Sequence, residues 1–291
     1  MTILFIFAGT VSGQKSAEKT GSLLWKVSGK GLERPSYIYG THHLFPISFL
    51  DSVAGVKQAF ASSEQMVGEV VLHDMAAMAG SVQAAGMMPQ DTTWKMLLAE
   101  DDYRFVDEQL IAFFGIGLQV FEMFKPAMAS LQYAAVLHQK KFPSNPGESP
   151  DLWFQQQAES RGIPIVGLET VQDQIYVLFE VVSLKRQAED LVCALKNPDY
   201  MELSTKRMIT LYRNADLSGL SEMLKEEGPC PGNEKQMTAL NEARNIKWLE
   251  KLPEIMAYKP SFIAVGLLHL VGDEGILHGL EQAGYTVEAV F

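Results

Sequence analysis

The chain has 291 residues, of which 47% are hydrophobic and 20% are charged, and its formal net charge at pH 7 is −11. This composition can build a large hydrophobic core, which argues against extensive disorder, and the length allows one large domain or two small ones. The negative charge and the lack of any Lys/Arg cluster argue against nucleic-acid binding, because phosphates require basic surfaces.

The first twenty residues are interpreted as a leader segment. Residues 1–14 contain a short apolar stretch followed by small residues, which is typical of a secretory signal. The stretch is too short to span a bilayer as a helix, and the usual basic residues before it are missing, so a frayed N-terminal strand is the alternative. We expect an exported protein, periplasmic or extracellular, with a leader over 1–20, one domain over 21–291 and no stable membrane span.

In chain order, apolar periodicity predicts short strands separated by many helices. Two strands over 23–28 and 36–40 form a predicted hairpin, and a helix over 50–63 leads to a third strand over 65–72. Further strands are predicted over 163–167, 262–265 and 285–290, and a loop over 143–150. Helices are predicted over 74–88, 94–99, 103–114, 119–124, 126–139, 151–161, 171–196, 198–214, 217–226, 234–251 and 274–283.

This order predicts an α/β or α+β fold, with one mixed central sheet flanked by many helices. Each half of the chain contains one strand that ends in Gly-x-x-His and one that ends in Gly-Glu or Gly-x-Glu. The pattern allows a loose internal pseudo-repeat, although the spacing of the motifs is unequal.

Four predicted strands end in the same way, with Gly followed within three positions by an acidic residue or a histidine. The four polar residues are His43, Glu69, Glu169 and His269. A polar residue just past a strand end lies at the edge of the sheet, where open α/β sheets bind ligands. Two His and two Glu at one edge have the composition of a divalent-metal site.

The two histidines of the Gly-x-x-His motifs, His43 and His269, are the strongest ligand candidates, because neutral imidazole is a common metal ligand. The alternative is that each is structural. Glu69 could ligate the metal or act as general base for a metal-bound water, and the alternative is a strand-end carboxylate in solvent. For Glu169, a position at the start of the next helix is as good an interpretation as a catalytic role.

Arg244 lies in the middle of a predicted helix. It could pair with Glu69 or Glu169, or hold a developing oxyanion, and the alternative is a solvated helix face. His42 is expected to pack in the core or at the rim, and His138 to lie at the surface. Asp151 is expected to cap the helix that follows it.

The two cysteines, Cys193 and Cys230, allow two interpretations. In an exported protein they could form a disulfide, and otherwise one thiol is buried and one lies in a loop. Sequence alone does not show whether their Cα atoms are close enough to bridge.

Several motifs in order resemble the TraB/PrgY/GumN family, which includes the Tiki metalloproteases. They are Tyr-Gly-Thr-His-His-Leu, Val-Gly-Glu-Val, Val-Gly-Leu-Glu-Thr-Val-Gln-Asp-Gln, Arg-Asn-Ile-Lys-Trp-Leu and Val-Gly-Leu-Leu-His-Leu-Val-Gly-Asp-Glu-Gly. The resemblance covers essentially all of the chain from residue 23. It implies a mixed sheet flanked by helices and a site formed by His43, His269 and Glu69, while Glu169 and Arg244 match further motifs of the family.

The resemblance to Tiki relatives implies a metal-dependent peptidase that uses manganese or cobalt, and zinc is an alternative. We therefore predict an exported metal-dependent hydrolase that acts on a peptide or protein. The first alternative is a non-catalytic protein that binds a peptide or an envelope component with the same fold. The second is hydrolysis of a small ester or lactone by the same residues.

Overall fold

The computed structural model describes residues 21–72, 75–143, 149–230 and 232–291. The predicted leader lies outside the described residues, as does most of the predicted loop over 143–150. In the part of the chain that the structure describes, no helix is both long enough and apolar enough to cross a bilayer.

A six-stranded mixed sheet forms the centre of the fold, as predicted. Its strand order is β4-β3-β5-β2-β1-β6. The neighbours β4, β3, β5 and β2 are all parallel, whereas β1 is antiparallel to both β2 and β6. The predicted hairpin is the β1–β2 pair. The strands are β1 Leu24–Ser28, β2 Ser36–Thr41, β3 Gln65–Gly68, β4 Ile165–Gly167, β5 Ser261–Gly266 and β6 Thr286–Ala289.

Helices account for most of the remaining described residues. Fourteen α-helices occur there: α1 Val56–Ser62, α2 Met75–Ala85, α3 Trp94–Leu97, α4 Glu100–Phe114, α5 Leu118–Phe121, α6 Pro126–Lys141, α7 Pro150–Arg161, α8 Val171–Phe179, α9 Leu184–Lys196, α10 Pro198–Arg213, α11 Leu217–Lys225, α12 Glu234–Leu240, α13 Glu242–Tyr258 and α14 Ile276–Gln282. Together with the mixed sheet they confirm the predicted fold class. The internal pseudo-repeat stays a prediction.

Three long predicted helices are interrupted in the structure. The segment predicted over 50–63 begins as a 3₁₀ turn, Ile47–Ser52, and α1 starts only after Gly55, which adopts a left-handed φ of 73°. The segment over 171–196 divides into α8 and α9, because Ser183 caps a new helix by accepting from the Arg186 backbone N–H. The segment over 234–251 divides at Asn241 into α12 and α13.

Three hydrophobic clusters build the interior of the described part of the chain, and the smallest contains Leu131, Ile175 and Phe179. The largest surrounds the sheet and contains the fully buried rings of Trp25, Tyr39 and Trp248. The second lies among α3–α6 and α9 and contains Trp94 and Leu191. The helical part of the chain therefore has a core of its own beside the sheet.

Cys193 and Cys230 form a disulfide, and their Cα atoms are 5.7 Å apart. The bond joins α9 to the loop between α11 and α12. Of the two interpretations that the sequence allows, the structure thus shows the paired one. Disulfides persist in oxidising compartments, which agrees with export, although the location itself stays a prediction.

Candidate functional site

The four predicted edge residues lie at one edge of the sheet. Glu69 directly follows β3, Glu169 follows β4 by two residues, and His43 follows β2 by two residues. His269 ends a 3₁₀ turn, Leu267–His269, that directly follows β5. Because β2, β3, β4 and β5 are parallel, their carboxyl ends meet at this edge, as the Gly motifs predicted.

Arg244 on α13 is the centre of the polar network at this edge. Its Nη2 donates to Glu69 Oε2 at 2.6 Å and to Glu169 Oε1 at 2.7 Å, and its Nε donates to Glu169 Oε2 at 2.9 Å. Its Nη1 donates to the Leu240 carbonyl at 3.0 Å and to His269 Nε2 at 2.9 Å. All five N–H donors of the guanidinium are thus used within the protein.

This network settles one choice that the sequence left open. Arg244 is buried and pairs with both Glu69 and Glu169, so it does not lie on a solvated helix face. The predicted oxyanion role would require Arg244 to give up one of its five bonds. The structure gives Arg244 a positioning role, because it fixes the two carboxylates and one imidazole around a single cation.

The tautomer of His269 follows from its two partners. Asn245 donates its amide N–H groups to the carbonyls of His269 and Glu274, so its Oδ1 accepts from His269 Nδ1 at 2.7 Å. The proton is therefore on Nδ1, and Nε2 accepts from Arg244. Burial, together with the positive charge of Arg244, lowers the pKa of His269 to about 3, so the ring is neutral at pH 7.

Glu69 is a buried carboxylate with several donors around it. Its Oε1 accepts from the Gly266 backbone N–H at 2.8 Å, and its Oε2 accepts from Gln174 Nε2 at 3.2 Å as well as from Arg244. Burial alone would raise the pKa of Glu69, but the Arg244 charge and these donors hold that pKa well below its usual range. Glu69 is therefore ionised.

His43 is held by a residue that sequence reasoning did not select. Its Nδ1 lies 2.6 Å from Asp151 Oδ2, and the other carboxylate oxygen accepts from Thr41 Oγ1 at 2.7 Å. The predicted capping role of Asp151 is wrong, because Ser149 caps α7 by accepting from the Leu152 N–H. Asp151 turns inward instead and is buried.

The packing of α7 explains this pairing. Phe154, one turn beyond Asp151, packs on the sheet with its ring centroid 4.6 Å from that of Phe262 and 5.7 Å from that of Tyr39. The contact fixes the first turn of α7 against the end of β2. The only sequence signal at Asp151 is a carboxylate near a predicted helix start. A capping residue gives the same signal, so the sequence does not distinguish capping from pairing with His43.

The two imidazoles and Glu69 surround the space beside Gly266. A Cβ atom at Gly266 would lie 3.2 Å from Glu69 Oε1, 3.6 Å from His269 Cδ2 and 4.0 Å from His43 Nε2. Three functional groups thus lie within 4.0 Å of one point that the absence of a side chain leaves open. A water in the space beyond this point could contact two proton acceptors, the Glu69 carboxylate and the His43 imidazole.

The divalent ion that the family resemblance implies would have to bind atoms that already form hydrogen bonds within the protein. Arg244 already engages two of the three predicted ligating atoms, His269 Nε2 and Glu69 Oε2. An ion bound by all three predicted ligands would therefore have to displace the guanidinium, so the present arrangement does not fit it. Within the described ranges, no group of three or more His, Cys, Asp or Glu side chains is placed to hold a metal ion.

A cavity of about 250 Å³ opens beside the site. His43, Glu69, Gly266 and His269 line it, and so do α10 and α11 with side chains that are mostly apolar. Its wall also includes His42, which packs against Phe45 and Tyr212 as expected for a core or rim residue.

His138 on α6 also lines the cavity, and its predicted surface position is wrong. Only 5% of the residue is exposed, and its ring centroid lies 4.9 Å from that of His42. Neither ring nitrogen has a hydrogen-bond partner among the described residues. Burial lowers the pKa of His138 to about 4, so this ring too is neutral at pH 7.

The model of the TraB/PrgY/gumN family matches residues 23–289 of the chain. The match spans all six strands and the four edge residues. No curated protein and no solved structure matches the chain.

Proposed function

The chain belongs to the TraB/PrgY/gumN family, and on that premise we propose that it is a hydrolase that cleaves an ester or amide bond with His43 as general base. The observation that carries the proposal is the 2.6 Å pairing of His43 Nδ1 with the buried Asp151 carboxylate. With the proton on Nδ1 and donated to Asp151, Nε2 of His43 keeps its lone pair for a water proton. The same atom faces the space beside Gly266.

In the proposed reaction, a water beside Gly266 gives a proton to His43 Nε2 while its oxygen attacks the carbonyl carbon of the substrate. The ionised Asp151 stabilises the imidazolium that forms, as in other carboxylate–histidine pairs. The imidazolium then returns the proton to the leaving nitrogen or oxygen as the carbonyl–heteroatom bond breaks. No atom of the protein is consumed, and the products are a carboxylic acid and an amine or alcohol.

The remaining site residues act around this pair. Glu69, whose Oε1 borders the same space beside Gly266, can accept the second hydrogen of the water and orient it. Glu169 and Arg244 hold Glu69 and His269 in place, so they are positioning residues in this proposal. The substrate class predicted from the resemblance is a peptide or protein in an exported compartment, and that prediction is part of the proposal.

Replacing His43 by Ala tests the proposal directly. General bases typically contribute about 10²–10⁴ in rate, so we expect turnover of any cleaved substrate to fall at least about hundredfold. Asp151→Asn should also reduce turnover, because a neutral amide has no negative charge with which to stabilise the imidazolium that forms on His43. A screen of peptide libraries and chromogenic esters supplies the substrate, and unchanged turnover in His43→Ala would refute the mechanism.

Gly266→Ala is expected to block the site without disturbing the fold. Gly266 has a φ of −53°, which alanine adopts readily, so we expect the free energy of unfolding to change by no more than about 1 kcal/mol. The added methyl group would narrow the space proposed for the water beside Glu69 and His43, and turnover should fall at least about tenfold. Gly80→Ala is the matched control, because a Cβ there meets nothing within 4 Å. Full activity in Gly266→Ala would place the water elsewhere.

A metal-dependent version of the reaction is the second candidate. Two observations favour it: metal-ligating histidines usually pair with a carboxylate as His43 does, and two carboxylates around Arg244 leave one negative charge in excess. When bound, a divalent ion would polarise the scissile carbonyl and lower the pKa of its water. The residues involved would be His43, His269 and Glu69, and Arg244 would first have to release His269 Nε2.

Metal analysis separates the two versions. The purified chain is loaded with manganese, cobalt or zinc and compared with the His43→Ala/His269→Ala double variant. For the reaction proposed first, we expect less than stoichiometric metal and turnover that resists a chelator. Near-stoichiometric metal that is lost in the double variant, with turnover that a chelator abolishes, would establish the metal-dependent version.

A further inference from the structure

The cavity beside the site is built to accept an uncharged apolar group. Side chains from α10 and α11 form much of its wall, including Met201, Met208, Leu220 and Met223. Arg207 and Glu226 also line it, but they form an ion pair with each other. The charge available to a ligand within the cavity is therefore that of the site itself, at Glu69.

The two other imidazoles in this wall, those of His42 and His138, pack on each other with their ring centroids 4.9 Å apart. His138 is neutral at pH 7 for the reason given above. A charged group placed among the apolar side chains of α10 and α11, away from Glu69 and the Arg207–Glu226 pair, would lose its hydration without gaining a partner, and that cost is several kcal/mol.

The wall of the cavity is fixed relative to the catalytic strand. Tyr212 on α10 donates its hydroxyl to the Gly40 carbonyl of β2 at 3.1 Å, and the hydroxyl of Tyr39 lies 3.2 Å from the hydroxyl of Tyr212. Gly40 is three residues before His43. A group bound against α10 is therefore held at a defined position relative to the proposed general base.

The volume of the cavity limits the size of that group. Pockets that enclose a whole drug-sized ligand have volumes of about 300–1,000 Å³, which is more than the 250 Å³ of this cavity. It can therefore take an apolar side chain or an acyl chain that is smaller than a whole drug-sized ligand.

We propose that this cavity is the acyl or side-chain subsite of the enzyme, and that the substrate carries an uncharged apolar group next to the scissile carbonyl. The inference rests on the proposed function, because it assigns the substrate class of the same site. It also places the rest of a longer substrate outside the cavity. Met223, from α11, is the specificity residue that we select for the test.

The test is a series of p-nitrophenyl esters with acyl chains of two to twelve carbons, together with a half-ester that ends in a carboxylate. Each buried methylene contributes about 0.8 kcal/mol, so we expect kcat/KM to rise by about fourfold per added carbon and to stop rising within the series, once the chain fills the cavity. The charged half-ester should react at least about hundredfold more slowly than the apolar ester of equal length.

Met223→Trp should shift the preferred chain length down by two or more carbons, because the larger ring fills part of the cavity. Met96→Trp is the matched control, since Met96 is 68% exposed and lies outside the cavity, and its length profile should equal that of the original chain. Met223→Ala guards against misfolding of the Trp variant and should shift the preference to longer chains. A flat length profile, or the same profile in all three variants, would overturn the inference.

Binding measurements distinguish this inference from the proposed function. Calorimetry with non-cleavable ketone analogues of the same chain lengths reports occupancy of the cavity without turnover. If the chain cleaves no ester but its affinity for the ketones rises with length and shifts in Met223→Trp, the proposed hydrolysis fails and the apolar subsite stands. If the ketones do not bind, the subsite is refuted.

Discussion

Replacing Arg244 by Met is expected to lower the free energy of unfolding by about 3–5 kcal/mol, which is the usual cost of removing one partner from a buried ion pair. Arg244 contacts two buried carboxylates, those of Glu69 and Glu169, through three hydrogen bonds. Without the guanidinium, the two negative charges would face each other with little solvent around them. Urea unfolding followed by tryptophan fluorescence measures the effect.

A matched variant tests whether the loss arises from charge. The triple change Arg244→Met/Glu69→Gln/Glu169→Gln removes the cation and both anions together, so we expect it to recover a large part of the lost stability. Arg244→Lys should restore little of the lost stability, because one ammonium group cannot reach all three carboxylate oxygens that the planar guanidinium contacts. If Arg244→Met unfolds at the urea concentration of the original chain, the buried network contributes nothing to stability.

Lowering the pH from 7 to 5 is expected to cost about 2 kcal/mol for each of two buried imidazoles, those of His138 and His269. Their pKa values in the folded protein are about 4 and about 3, whereas an imidazole in the unfolded chain titrates near 6.5. Between these values the unfolded state binds more protons than the folded state. The stabilisation is therefore fully present above about pH 6.5 and is lost as the pH falls.

Urea unfolding at the two pH values measures this loss. In His138→Phe, the variant lacks one of these imidazoles, so the loss between pH 7 and pH 5 should shrink by about 2 kcal/mol, while His42, whose pKa burial also lowers, contributes to the loss that remains. Glu69 contributes little in this range, because its lowered pKa keeps it ionised in the folded state and an ordinary carboxyl group is mostly ionised above about pH 5 in the unfolded state. Equal stability at pH 7 and pH 5 would show that these imidazoles are hydrated in the folded protein.

The parts of the site that the sequence predicted are those whose signals are local. Each of the four edge residues follows an apolar strand and a glycine within three positions, and parallel pairing then brings the strand ends together. The sequence allows Arg244 to pair with Glu69 or Glu169, because complementary charges limit the choices, but it also allows a solvated helix face. The packing of α13 on the sheet decides between these alternatives, because it determines which face of the helix is buried.

The parts that the sequence did not predict depend on contacts between distant segments. Asp151 meets His43 across 108 positions of sequence, and its place at a helix start favoured the wrong local interpretation. His138 is followed by polar Gln139 and Lys140, which suggested an exposed helix end, but the aromatic ring of His42 covers it. In both cases, tertiary packing overrides a reasonable local preference.

The position of β1 within the sheet has a consequence for how the chain folds. β1 begins at Leu24 and lies between β2 and β6, and Trp25 on β1 pairs with Ala289 near the other end of the sequence. The central neighbours β2 and β5 likewise join residues more than 200 positions apart. Such nonlocal pairing slows folding, because the chain loses the conformational entropy of closing a long loop before the resulting contacts can stabilise it. The edge that carries His43, Glu69 and His269 therefore forms late, after β5 has been synthesised, and a nascent chain that ends before β5 has neither Gly266 nor His269 at that edge.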